Sequence, residues 1–145
     1  MSAEALIANS LRIAREDLDA ARILASTKNR NAIYLCEQAA EKIIRSVMTS
    51  EGLIAGTSHL LDRMVAQIPD ANPLKPALRG IEHLAAYATS YRYPTSSGRI
   101  LPTPSEFEVA EALTRLEVLL LDVAHRFGVD LTKPGTRATN VGPIR

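Results

Sequence analysis

The sequence has no tryptophan, one cysteine and few aromatic side chains, and these scarcities limit its chemistry. Aromatic residues make up only 4% of the chain, so neither a large aromatic core nor a base-stacking platform is expected. Cys36 has no partner for an intrachain disulfide, which excludes a disulfide scaffold. Seventeen basic residues oppose sixteen acidic ones, so no whole-molecule field attracts nucleic acid or an anionic membrane. Any anion-binding surface must therefore be a local patch.

Long apolar runs are also missing. The longest, residues 118–121, is followed at once by Asp122, far short of the roughly 18–20 residues that cross a bilayer. The first residues form neither a basic nor an apolar segment, so we expect no signal peptide, no membrane partner and a cytoplasmic location. The 145 residues, 46% apolar and 23% charged, fit one ordinary globular domain.

Helical periodicity dominates the rest of the sequence. Apolar residues recur at spacings of three and four, and no segment alternates with period two. The pattern predicts an all-α fold, an antiparallel up-and-down helical bundle of four long helices plus one short helix. The long helices carry stripes from Ile7 to Ala25, from Ala32 to Val47, from Leu74 to Arg92, and from a Thr103 cap to Phe127.

The short helix and the tail complete the expected organisation. Thr57 or Ser58 is expected to cap the short helix, which runs to Ile68. Residues 4–127 form the expected domain. Residues 128–145 are rich in proline, glycine and polar residues without periodicity, so we expect a flexible C-terminal tail there.

The usual catalytic and cofactor patterns are not found in the sequence. The pair Asp122 and His125 lacks a second carboxylate–histidine pair, so we expect no metal site. No glycine pattern for a phosphate-binding loop occurs, and no cofactor is expected. Cys36 lies on an apolar stripe and is interpreted as a buried structural thiol. The loop 95–99, with Arg99, could hold a phosphate, although a solvated connection is the favoured interpretation.

Arg92 is the unusual residue on the fourth stripe. It follows Ala85 and Ala88 at helical spacing, which predicts a guanidinium aimed at the bundle interior or its mouth. Such a group requires a carboxylate, a bound anion or a wet cleft. Glu37 and Glu41 are the carboxylate candidates, and the hydroxyls of Tyr91 and Tyr93 are candidate ligand contacts. A structural Arg–Glu tie and a ligand-facing arginine both remain open.

Three short motifs resemble those of a known helical family. Residues 36–42 read Cys-Glu-Gln-Ala-Ala-Glu-Lys, residues 58–61 read Ser-His-Leu-Leu, and residues 91–94 read Tyr-Arg-Tyr-Pro. Their order and separation resemble the Gln-x-x-Glu-Lys, Thr-His-x-Leu and Arg-Tyr-Pro signatures of the HEPN domain, named for higher eukaryotes, prokaryotes and nucleotide binding. The resemblance covers about residues 4–127 and adds Lys42 and His59 to the site candidates.

The resemblance implies a bundle that forms a homodimer. Many relatives are encoded beside a small nucleotidyltransferase and form toxin–antitoxin pairs with it, so such a partner is expected, as is a nucleotide or RNA ligand. Ribonuclease members carry an arginine, a polar residue and a histidine within four to six positions. Arg92 matches that arginine, but no histidine follows before His125, and Tyr93 and Pro94 stand where the polar residue belongs.

Three hypotheses follow. The first is a non-catalytic protein that binds a nucleotide, RNA or a partner nucleotidyltransferase. The second is a metal-independent ribonuclease toxin with an altered residue set, using Arg92 with His59 or a tyrosine. The third is a structural adaptor in which the motifs only join helices. The missing acid–base histidine favours the first.

Overall fold

The described part of the chain contains three long helices and three short helical segments. The structure is a computed structural model, and it describes residues 2–56 and 60–145. No strand occurs among these residues, which confirms the all-α prediction. The elements are α1 (Ala3–Ser26), α2 (Asn31–Ser50), α3 (Leu61–Gln67), α4 (Lys75–Arg79), a 3₁₀ helix (Glu82–Tyr87) and α5 (Glu106–Arg126).

The three long helices pack around one apolar core. α1 and α2 are joined by residues 27–30 and make the most extensive helix pair, while α5 contacts both. The starts of α2 and α5 lie at the same end of the bundle, because Ile33 and Val109 line one cleft with Ala25 from the end of α1. The fully buried core side chains come from all three helices and include Leu11, Leu18, Ile43, Ile44, Leu116 and Leu120.

The prediction of a fourth long helix from Leu74 to Arg92 is wrong. α4 ends at Arg79, and a 3₁₀ helix and turns follow. In a continuous α-helix the Gly80 carbonyl would accept from the amide of Leu84. Instead it accepts from Arg115 Nη1 of α5 at 3.2 Å, and the Leu84 amide donates to Ile81 at 3.1 Å. Glycine also weakens a helix interior by about 1 kcal/mol relative to alanine.

The cap of α5 lies two residues later than the sequence predicts. Ser105, not Thr103, is the N-cap, and its hydroxyl accepts from the Glu108 amide at 3.1 Å. Both residues carry a hydroxyl, so only the backbone conformation distinguishes them. The predicted cap of the short helix at Thr57 or Ser58 lies outside the described residues.

The C-terminal segment, residues 128–145, lies against the helices in this structure. The amide of Ala138 donates to the Glu4 carbonyl at 3.1 Å, and the amide of Thr139 donates to the Phe127 carbonyl at 2.9 Å. Ile144 is 8% exposed. These contacts give a defined position to the segment for which the sequence predicts flexibility.

Gly128 is the point at which this segment turns back over the end of α5. Its φ is +63°, and a Cβ atom there would lie 1.8 Å from Thr139 Oγ1. We expect Gly128→Ala to displace the segment and speed amide exchange at Thr139 by roughly tenfold or more. Hydrogen exchange monitored by NMR measures this.

Gly135→Ala is the matched control for that substitution. Gly135 has a φ of +84°, but no atom lies within 4 Å of the position that a Cβ would take, so the alanine adds backbone strain without the collision. Equal exchange rates in both variants would contradict the docked arrangement. Unprotected exchange at Thr139 in the unmutated protein would support the flexible tail that the sequence predicts.

A charge cluster joins the end of the chain to the end of α2. Arg145 donates to both carboxylate oxygens of Glu51, at 2.7 and 3.1 Å, and the Asn72 amide donates to the same carboxylate at 2.8 Å. The Arg145 hydrogen bond is the main cause that holds the pKa of Glu51 below its usual value.

Glu51→Gln tests this cluster through the pH dependence of stability. The pKa of Glu51 is lower in the folded state than in the unfolded state. The ionised carboxylate therefore contributes fully to the free energy of unfolding above the unfolded pKa of about 4.3. This contribution is lost as the pH falls through the pKa of the folded state. We expect Glu51→Gln to lower the free energy of unfolding at neutral pH by about 1–2 kcal/mol. The difference should close near pH ~3 in urea titrations. Glu16→Gln, at an exposed position of α1, should change little at either pH.

Candidate functional site

Arg92 lies over the rings of two tyrosines, and the other two tyrosines of the chain contact each other just before it in the sequence. The guanidinium carbon of Arg92 lies 4.2 Å from the centre of the Tyr34 ring and 5.6 Å from that of Tyr93. The rings of Tyr87 and Tyr91 are 4.7 Å apart and inclined at 47°. We call these five residues the tyrosine–arginine cluster. Few aromatic residues can thus still form one local surface.

Two parts of the fold bring the cluster together. Tyr34 lies in the first turn of α2, whereas the other members lie at the end of the 3₁₀ helix and in the turns after it. Arg30, just before α2, donates from Nη1 to the Tyr91 carbonyl at 3.2 Å and from Nη2 to the Leu101 carbonyl at 3.1 Å. These bonds fix the loop that carries Arg92 to the start of α2.

Arg92 does not point into the bundle interior, which corrects that alternative of the expectation from the sequence. Its side chain is exposed and forms no hydrogen bond or ion pair with a described residue. The helical stripe through Ala85 and Ala88 ends because the chain leaves the 3₁₀ helix after Tyr87. Arg92 instead stacks on Tyr34, and a cation–π contact at an exposed site contributes about 0.5–1 kcal/mol.

The predicted carboxylate partners have other contacts. Glu37 is fully buried and accepts from the Gln38 amide at 2.8 Å. Glu41 is 6% exposed and accepts from Arg45 Nε at 2.9 Å, one turn along α2. Neither forms the predicted tie to Arg92. Lys42 is also engaged elsewhere, since its ammonium group lies 2.6 Å from Asp17 of α1.

The other candidates lie apart from the stacked rings. Arg99 is exposed in a turn closed by Thr95, whose amide donates to the Arg99 carbonyl at 2.7 Å. His59 lies outside the described residues. Among the described residues, no group of three or more His, Cys, Asp or Glu side chains is placed to hold a metal ion.

The cluster supplies hydrogen-bond donors and a fixed charge near neutral pH. Burial is the main cause that raises the pKa of the Tyr87 hydroxyl, with smaller contributions from Tyr91 and Glu108. A tyrosine hydroxyl can donate a hydrogen bond, and a guanidinium carries a positive charge and five N–H donors. The members of the cluster therefore suit binding of an anion or a planar ring.

Comparison with known proteins identifies the family. The family model described as HEPN domain matches residues 7–125 of this chain. The chain belongs to the HEPN domain family. No curated protein and no solved structure matches it.

Family membership confirms the resemblance seen in the three motifs and gives the coarse functional class. This HEPN domain is a helical protein of a nucleotide- and RNA-related family. Within the described residues, no helix combines the length and hydropathy that spanning a membrane requires.

Two residues that shape the tyrosine–arginine cluster, Tyr34 and Arg30, were not among the candidates from the sequence. Tyr34 precedes Glu37 by one helical turn, so it lies on the same side of α2 as that motif residue. This spacing could have indicated from the sequence that Tyr34 lies near the motif. The sequence gives no such indication for Arg30. Its partners are backbone carbonyls more than sixty residues away, and every residue has a carbonyl whatever its side chain.

Cys36 gives a direct test of the buried core beside this site. The thiol is fully buried, and burial raises its pKa to about 12. We expect negligible reaction with Ellman's reagent in the native protein and rapid release of one equivalent after unfolding in guanidinium chloride. Rapid reaction in the native state would contradict an inert thiol and reopen a nucleophilic role.

Proposed function

We propose that this HEPN domain is a non-catalytic protein that binds single-stranded RNA or free nucleotides at the tyrosine–arginine cluster. The observation that carries the proposal is the exposed guanidinium of Arg92, held over the Tyr34 ring beside a Tyr93 side chain that is 64% exposed. A charge and an accessible ring thus occupy one surface. Membership of a nucleotide- and RNA-related family supports this choice.

The chemistry of the cluster matches both parts of a nucleotide. A guanidinium forms strong, charge-assisted hydrogen bonds to phosphate oxygens, and its planar fork can engage two of them. An exposed tyrosine offers a face on which a base can stack, and each such stack contributes about 1–3 kcal/mol in single-strand binding. Stacking on Tyr34 and the Arg30 bonds to the loop restrict the motion of Arg92 before a ligand arrives.

The absence of a nearby histidine in the sequence supports a non-catalytic role. The ribonuclease pattern implied by the family resemblance needs a histidine four to six positions after the arginine, and here none follows Arg92 before His125. The sequence therefore lacks the acid–base histidine that this pattern places beside the arginine.

Substitution of Arg92 tests the proposal. We expect Arg92→Ala to weaken binding of a fluorescently labelled single-stranded RNA about tenfold, measured by anisotropy. The slope of log K against log salt should fall by about 0.7, as one phosphate contact is lost. Arg92→Lys should recover part of the affinity, since it keeps the charge but loses the planar fork. Tyr93→Ala should weaken RNA binding without changing the salt slope.

Arg126→Ala is the matched control. Arg126 is the last residue of α5, is partly exposed and pairs with Asp122 at 2.9 Å. Its replacement by alanine should leave RNA binding unchanged. Equal losses in the Arg92 and Arg126 variants would show that only net charge matters. No binding of RNA or nucleotide by the unmutated protein would contradict the proposal.

The alternatives give different results in the same samples. Arg92-dependent shortening of the RNA would establish the ribonuclease instead. Capture of a nucleotidyltransferase without any RNA affinity would favour the protein-binding version of the first hypothesis. A fall in melting temperature on Arg92→Ala with every binding assay unchanged would favour the structural adaptor. The homodimer stays a prediction that light scattering tests.

A further inference from the structure

A concave surface lies at the end of the bundle where α1 ends and α2 and α5 begin. The cleft between these three segments has a volume of about 770 Å³, within the roughly 300–1,000 Å³ typical of small-molecule sites. Its floor is apolar and includes Ala25, Ile33, Val109 and Leu113. We call it the α1–α5 cleft. None of the tyrosine–arginine cluster residues lines it.

Basic side chains outnumber acidic ones around this cleft. Arg22, Lys28 and Arg30 line it, against the single carboxylate of Glu106. Lys28 lies 3.1 Å from Glu106, so these two charges offset each other. Arg22 lies 3.3 Å from Glu117, a carboxylate that it shares with Arg15. The rim therefore keeps an excess of positive charge.

Arg30 is the cation whose charge is least compensated. Two of its N–H groups donate to the carbonyls of Tyr91 and Leu101, and no described carboxylate forms an ion pair with it. A guanidinium has five N–H donors, so further donors remain for a ligand. Because the two carbonyl bonds restrain the side chain, little conformational entropy is lost when an anion binds.

We propose that the α1–α5 cleft binds a small organic anion with an apolar body, with its carboxylate or phosphate group beside Arg30 and its apolar part on the floor. A neutral apolar ligand would leave the rim charge uncompensated. A small polar anion would leave the apolar floor in contact with water. A ligand with both an anionic group and an apolar part can neutralise the rim charge and cover the apolar floor. This site is separate from the proposed RNA surface and does not rest on that proposal.

Octanoate is a simple probe of this site. Titration of ¹⁵N-labelled protein should shift the amide resonances of Ala25, Ile33 and Val109, with a dissociation constant of about 1 mM, as befits a ligand of this size. Octyl phosphate should shift the same amides, which distinguishes a phosphate from a carboxylate preference. Octan-1-ol lacks the charge and acetate lacks the apolar body, so each should bind at least about tenfold more weakly.

Two variants at one exposed position separate charge from shape. Ala110 is exposed and lines the cleft on α5. Ala110→Glu adds a negative charge and should weaken octanoate binding about tenfold, whereas Ala110→Gln adds nearly the same volume without the charge. Both residues are good helix formers, so folding should be preserved. Arg30→Gln should also weaken octanoate binding, and its thermal unfolding reports any loss of the loop contacts.

Several outcomes would overturn the cleft site. These are an absence of shifts at the cleft amides, equal affinity for octan-1-ol, equal effects of Ala110→Glu and Ala110→Gln, and shifts confined to Tyr34 and Tyr93. Arg92→Ala should leave octanoate binding unchanged, so the cleft and the RNA surface can fail independently.

Discussion

The hydrogen bonds of Arg30 are the interaction on which both candidate surfaces depend. Its guanidinium joins the start of α2 to the carbonyls of Tyr91 and Leu101, near the two ends of the loop between the 3₁₀ helix and α5. That loop has no helical ladder of its own to fix it. Hydrogen bonds from a charged donor contribute about 1.5–3 kcal/mol where partly buried, and here they determine where Tyr91 and Arg92 lie. The same side chain forms part of the cleft wall.

The broken fourth helix explains why a surface exists there at all. Had the helix continued to Arg92, Tyr87 and Tyr91 would lie four residues apart on one face, packed against the core or pointing to solvent together. The Gly80 carbonyl accepts from Arg115 rather than from the Leu84 amide, and the chain continues as 3₁₀ helix and turns. The change in direction brings Arg92 against Tyr34 of α2. A local loss of regular structure therefore creates the contact between two distant parts of the chain.

The sequence predicted what depends on periodicity and missed what depends on single contacts. α1, α2 and α5 follow from apolar stripes whose members, such as Leu11, Ile43 and Leu116, are fully buried in the structure. The stripe from Leu74 to Arg92 follows the same rule, yet the helix ends at Arg79. Gly80, a poor helix former, follows at once, and its carbonyl accepts from Arg115 of α5. The three motifs resemble those of the HEPN family as short sequences. The position of the Tyr91–Arg92 motif, however, involves contacts to Tyr34 and Arg30, which lie outside all three motifs. Composition likewise does not predict that Arg92 lies over Tyr34 and Tyr93 or that Tyr87 contacts Tyr91.

The charge distribution shows how a nearly neutral protein can still present cationic surfaces. Most basic side chains are matched locally, as in the pairs that Arg15, Lys42 and Arg126 form with acidic residues. Among the described residues, six arginines form no ion pair: Arg12, Arg30, Arg63, Arg92, Arg99 and Arg137. Three of these, Arg30, Arg92 and Arg99, lie at or beside the loop and its anchor on α2. With a net charge of +1, the protein exerts little long-range attraction on an anion. Discrimination must then come at contact distance, where a fixed guanidinium and a ring or an apolar floor act together. This favours ligands that combine an anionic group with a flat or apolar part over anions of high charge alone.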